Sequence, residues 1–156
     1  GKVDLSDLEL ESFPAEVSSI ENIKELDASR NRIQELSNEL SYLTGLEKLH
    51  LHNNVLEGIP DTVKSLRSIT YLDLSYNRLT LLNPNIGKLS KLKTLNISHN
   101  QIQSLPFDLK SNTDLVDLIV DNNPLISPPR EIVKQGTARM CRYLHKMHVG
   151  AVSGKL

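Results

Sequence analysis

The histidines, the lone cysteine and the closely spaced carboxylates are the groups in this chain whose chemistry could go beyond packing. His50 and His52 are two residues apart, a spacing that on a strand puts both on one face, about 6.6 Å from each other. With Asp73 or His99 they could supply nitrogen and oxygen ligands to zinc. The site would be open and the ligand spacing is poor, so no metal is expected. Gly150 to Lys155 is one spacer residue short of a phosphate-binding loop and is followed by Leu156 rather than Ser or Thr. No serine stands on a strained elbow beside an oriented base. Cys141 is the only cysteine and falls in a stretch with apolar helical spacing, which suits packing better than nucleophilic attack. No catalytic residue and no cofactor is expected, and the chain does not read as an enzyme.

These groups are positioned by a repeat. Leu26, Leu49, Leu72, Leu95 and Leu118 are each 23 residues apart, and so are Asn31, Asn54, Asn77, Asn100 and Asn123. Leu-x-Leu alternates with period 2, the pattern of a short strand with one buried face. Each Asn stands where the chain leaves the strand. Its amide both donates and accepts, so five of them can form a buried ladder that satisfies backbone groups in the turns. Ile59-Pro60 and Leu105-Pro106 open the return path, and the spacing of Val63 and Leu66 or of Ile86 and Leu89 suits a short helical turn. No coil can bury its apolar face alone, so neighbours supply the core.

The motif L-x-x-L-x-L-x-x-N-x-L at this period is that of a leucine-rich repeat; helical repeats need periods near 33–34 and lack the strand. The expected fold is α/β: a right-handed solenoid of about six 23-residue repeats in a horseshoe arc, with a parallel concave sheet and a C-terminal helical cap. Strands are expected near 3–5, 26–28, 49–51, 72–74, 95–97 and 118–120, within repeats spanning 1–126. Three departures stand out. Leu8 takes the Asn slot of a degenerate first coil, Asn83-Pro84 displaces the usual proline, and Asn112 enters a slot that is otherwise apolar, which predicts a looser convex side. Pro128-Pro129 announces a helix, and Gly136-Thr137 reads as a stop followed by a new N-cap. The cap is expected over 127–148 and a flexible tail over 149–156. Gly1-Lys2-Val3 leads into a strand whose outer edge the sequence does not cover, so the chain is expected to be monomeric with self-association at that edge as the alternative.

Beyond the general repeat, the chain resembles intracellular repeat proteins of the Ras-scaffold and Ras-suppressor kind, the LAP family (Erbin- and Scribble-like), and the repeat segments of Roco GTPases. The resemblance is carried by the Asn-x-Leu-x-x-Leu-Pro coils and by the ending that runs from Asn123-Pro124-Leu125 through Pro128 to Val133, Gly136-Thr137 and Tyr143-Leu144. It implies a scaffolding or signalling protein that binds others through its concave sheet.

The charge balance points the same way. Lys and Arg number 18 against 19 Asp and Glu, which offers no electrostatic ground for nucleic-acid binding. No apolar run is long enough to insert in a membrane. A single cysteine excludes the intrachain disulfides that close extracellular repeat proteins, so a cytoplasmic setting is expected. The partner is then another protein or peptide. The outward residues chosen to bind it are Lys48, His50, His52, Tyr71, Asp73, Tyr76, Asn96 and Ile119. His50 lies between Asp27 and Asp73 of adjacent strands, which would make binding sensitive to pH near neutrality. The alternative is a targeting or regulatory segment of a larger enzyme, such as a Roco-type GTPase or kinase, with the chemistry elsewhere.

Overall fold

In the computed structural model, residues 1–154 are described. Lys155 and Leu156, with the end of the expected tail, lie outside the described residues. Leucine alternation produces six short strands: β1 (Lys2–Asp4), β2 (Glu25–Asp27), β3 (Lys48–His50), β4 (Tyr71–Asp73), β5 (Thr94–Asn96) and β6 (Asp117–Ile119). They form one parallel sheet in chain order. Val3, Leu26, Leu49, Leu72, Leu95 and Leu118 are aligned in register across it. Each strand begins one residue ahead of the expected span, because its leading polar residue already takes part in the ladder. Inter-coil bonding continues past the strands, with the Ala28 amide donating to the His50 carbonyl at 2.9 Å.

The return path of each coil is a five-residue 3-10 turn: Ala15–Ser19, Asn38–Tyr42, Asp61–Ser65, Pro84–Lys88 and Phe107–Ser111. Pro14, Pro60 and Pro106 stand just before these turns in extended conformation rather than inside them. In the fourth coil the displaced Pro84 enters the turn, and the Asn83 side chain caps it by accepting from the Asn85 amide at 2.9 Å. Between sheet and outer turns runs a single core of Leu and Ile, with one layer per coil. Each layer is closed only by its neighbours.

The expectation of a looser convex side at Asn112 is overturned. Asn112 is buried, and its Nδ2 donates to the carbonyls of Ile86 and Leu89, each at 3.0 Å. It therefore ties the fifth outer turn to the fourth. Here the amide replaces an apolar contact with two hydrogen bonds to carbonyls that also accept from the Leu89 and Leu92 amides, using their second lone pairs.

The C-terminal end is closed by α1 (Arg130–Val133) and α2 (Thr137–Ser153). Met140 and Leu144 of α2 are fully buried in the core, and Ile132, Val133 and Tyr143 pack against it. Thr137 is the first residue of α2 and not its cap; its Oγ1 instead accepts from the Leu118 amide of β6 at 2.9 Å. A donor on the last strand, with no seventh strand to pair with among the described residues, is satisfied by the cap. Helix α2 also continues through 149–153, where a flexible tail was expected. It ends at Gly154, whose left-handed φ of 73° closes a C-cap.

Candidate functional site

Each ladder asparagine joins two coils. Asn77 Oδ1 accepts from the Leu56 amide at 3.0 Å, while Nδ2 donates to the Leu51 and Leu74 carbonyls at the same distance. Asn31, Asn54 and Asn100 repeat the arrangement and are buried like Asn77. Asn123 makes the equivalent bonds but is only half-buried. Coil 1 has no ladder residue; the Leu8 and Leu10 amides both reach Asn31 Oδ1 at 3.0 Å, and the Leu8 side chain is left exposed.

A second ladder runs beside the first and is not visible from alternation alone. Asp4, Asp27, Asp73 and Asn96 each accept, through Oδ1, from the amide and the hydroxyl of the serine two residues on. The hydroxyl distances are 2.6 Å for the three carboxylates and 2.7 Å for Asn96. This local Asx clasp turns the chain off the strand. Asp73 is consequently buried and Asn96 half-buried, and both are occupied by structure rather than free for a partner. The recurring Asp-x-Ser spacing was the available sign.

The clasp is replaced in two coils. In the third, His50 and His52 stand in the Asp and Ser positions; in the sixth, Ile119 and Asp121 do. The ring of His50 is not hydrogen-bonded to Asp27 or Asp73, although the register sets it between them. Its Nε2 meets Glu25 Oε2 at 3.0 Å, and its ring tilts against Tyr71 with centroids 5.1 Å apart. His52 Nδ1 lies 2.9 Å from Asn53 Oδ1. Burial raises the pKa of the Tyr71 phenol, and the charge of Asp73 adds to this. The phenol therefore stays a neutral donor. Lys48 is exposed beside this group, and Ile119 is partly exposed at the far end.

Along the sheet margin, Asp7, Arg30, Asn53, Tyr76, His99 and Asn122 all have left-handed φ between 54° and 59°. Asn and Asp tolerate that region, whereas a bulky Tyr does so at a cost. Tyr76 is 50% exposed and stacks flat on His99 with centroids 4.0 Å apart. His99 Nε2 in turn meets Asn122 Nδ2 at 3.1 Å. Sequence reading chose Tyr76 for binding but weighed His99, its stacking partner one coil on, only as a zinc ligand. Among the described residues no three His, Cys, Asp or Glu side chains converge as metal ligands. Burial pushes the Cys141 thiol up, away from the reactive thiolate.

The family model described as Leucine rich repeat matches residues 21–79, and that described as Leucine Rich repeats (2 copies) matches residues 67–107. The chain is a leucine-rich repeat protein. No curated protein sequence matches it. Among solved structures, this leucine-rich repeat protein is similar to one from Leptospira interrogans at 32% identity and TM-score 0.76, over 81% of this chain and 32% of that one. It is also similar to the plant peptide hormone receptor RGFR1, solved in complex with RGF2, at 32% identity and TM-score 0.63, over 73% of this chain and 19% of the receptor. Internalin C2 from Listeria monocytogenes matches at 26% identity and TM-score 0.62, over 72% of this chain and 49% of the internalin. The chain thus spans half or less of each of these relatives. No helix among the described residues is long and apolar enough to cross a membrane.

Proposed function

We propose that this leucine-rich repeat protein is a non-catalytic interaction module that docks a partner protein or extended peptide across the middle of its parallel sheet. One observation carries the reading. The third coil gives up the Asx clasp; His50, which takes the Asp position, packs on Tyr71, and the next coil carries Tyr76, stacked on His99. Aromatic side chains held in place by neighbours lose little entropy on binding and concentrate interface energy. Six strands about 4.8 Å apart span roughly 25 Å, which suits a polypeptide better than a small molecule. The docking set is Lys48, His50, His52, Tyr71 and Tyr76, with His99 added and Ile119 at its edge. Asp73 and Asn96 act behind it by shaping the turns. That a peptide receptor is among the structural relatives agrees with this reading.

The repeats over 1–126 supply this face and the segment from 127 onward closes their core. The resemblance to Ras-scaffold, LAP and Roco repeats, together with the single cysteine, supports a cytoplasmic signalling role. A scaffold and a targeting segment of a larger enzyme would use the same face. A monomer is expected; light scattering over a range of concentrations would reveal self-association through the outer edge of β1.

The direct test selects peptides by display on the native chain and measures them against a His50→Ala/Tyr71→Ala/Tyr76→Ala variant. Asp73 is left intact so that its clasp on Ser75 survives. Selected peptides should lose the variant and keep a Tyr42→Ala control, which alters an exposed side chain on the second outer turn. Peptides that hold both variants equally would place the interface elsewhere.

A further inference from the structure

A second surface lies on the outer flank, where the turns of the third and fourth coils lead back into β4 and β5. An open groove of about 490 Å³ is lined there by basic side chains and serines alone. That volume falls within the range of small-molecule sites, but no aromatic or aliphatic residue lines it, and its apolar surface is only that of lysine, arginine and serine stems. The repeat period arranges the charges. Ser65 and Lys88, Arg67 and Ser90, and Ser68 and Lys91 are pairs 23 residues apart, at equivalent positions of adjacent coils. Lys64 extends the set on the third coil. Cations of one coil thus meet hydroxyls of the next rather than other cations, which is how four can share two adjacent turns.

None of the four forms an ion pair; the Asp61 carboxyl is held below its ordinary value mainly by Asn83 and Asn85, with the charge of Lys64 a lesser cause. Among the described residues the ion pairs are Lys2–Glu25, Arg32–Glu9 and His50–Glu25. Asp61, in the same outer turn as Lys64, directs its Oδ1 to Asn83 at 2.8 Å and Asn85 at 3.1 Å. The next carboxylate in register, Asp114, lies one coil beyond Lys91 and bounds the patch. The preceding coil carries Ser41 and Thr44 in place of Lys64 and Arg67, and the one before it Ser18 and Glu21. The excess of positive charge is therefore local, in a chain whose formal net charge is −1. Unpaired cations held close together repel one another, and an anion spanning two of them relieves that repulsion.

We propose that this groove binds a compact polyphosphate, in which two or more phosphate groups are carried on one small molecule or lipid headgroup. Lys64, Lys88 and Lys91 act as point charges, Arg67 as a two-pronged donor to phosphate oxygens, and the serines as hydroxyl donors. The site is separate from the sheet face and does not depend on it.

Thermal melting of the whole chain with sodium tripolyphosphate, against sodium chloride at matched ionic strength, tests the proposal. The native chain should show a saturable rise in melting temperature, since a ligand bound only by the folded state stabilises it. In Lys88→Gln/Lys91→Gln the half-saturating concentration should rise at least about tenfold, because two charge contacts are lost. That variant removes repulsion, so it should fold, and a circular dichroism melt without ligand confirms it. Ile126→Ala, which alters an exposed side chain in the last coil, should respond as the native chain does. Flotation with phosphatidylcholine vesicles containing phosphatidylinositol bisphosphate, and not with phosphatidylserine vesicles of equal charge, would mark a headgroup as the source. A response to tripolyphosphate and inositol hexakisphosphate without flotation would mark a soluble one. No saturable rise, or an equal rise in the double variant, would overturn the site.

Discussion

The imidazole of His99 lies flat on the phenol ring of Tyr76, with centroids 4.0 Å apart and planes 9° from parallel, and both residues hold left-handed backbones. The stack and the strain act in opposite directions. A bulky residue in that region costs about 1–3 kcal/mol, while an aromatic stack returns about 0.5–1.5 kcal/mol. Tyr76→Asn removes both. Its unfolding free energy from urea denaturation should therefore stay within about 1 kcal/mol of native or rise, even as display-selected peptides bind it more weakly. A loss of stability well beyond that would show that Tyr76 is retained for folding.

The asparagine ladder makes a graded prediction. Asn77→Ala strands the Leu56 amide in a buried turn, at about 1–3 kcal/mol, while the Leu51 and Leu74 carbonyls keep Asn54 and Asn100 as donors. Asn123→Ala leaves the Ile102 amide and the Val120 carbonyl at a half-buried end, where solvent can reach them, and the Ile97 carbonyl keeps Asn100. Denaturant unfolding should rank Asn77→Ala as clearly the more damaging of the two. Equal losses would mean that burial does not set the cost.

The architecture was legible because the leucine and asparagine slots each have one physical solution at a period of 23. The binding face was legible only in part. Outward alternation marked Asp73 and Asn96 as surface, but a serine two residues on folds its hydroxyl back and takes them into the turn. The same alternation could not report that His50 would turn to Glu25 rather than to the aspartates beside it, since side-chain direction depends on which acceptors are already occupied. Asn112 and Thr137 were misjudged for a related reason. Each bonds to backbone well removed in the chain, and local propensity carries no record of such partners.

Close approach of coils gives a third test. A Cβ on Gly87 would clash with the Asp108 carbonyl group and stand 2.8 Å from the Asp108 Cβ, neither of which can swing aside. Gly87→Ala must push the fourth and fifth outer turns apart, at roughly the 1–3 kcal/mol of an overpacked core. Gly58→Ala meets nothing within 4 Å and should be neutral or slightly stabilising. Chemical denaturation of both variants reads the difference directly; a neutral Gly87→Ala would mean that the turns separate freely.

The Asx clasp predicts acid behaviour. Burial pushes the Asp27 carboxyl up, but the hydroxyl and amide of Ser29, with His50 adding, more than reverse this and hold it below the ordinary value. Asp4 is lowered chiefly by the Ser6 hydroxyl and amide. A depressed carboxylate contributes stability that is complete above its unfolded value of about 3.9 and is lost as pH falls through the lower folded value. Ser29→Ala removes the hydroxyl donor and leaves the amide. Carbon-13 carboxyl titration should then show the Asp27 midpoint moving up toward the unfolded value, and the loss of stability below about pH 4 should become shallower. An unchanged Asp27 midpoint would mean that the serine hydroxyl is not what holds the charge.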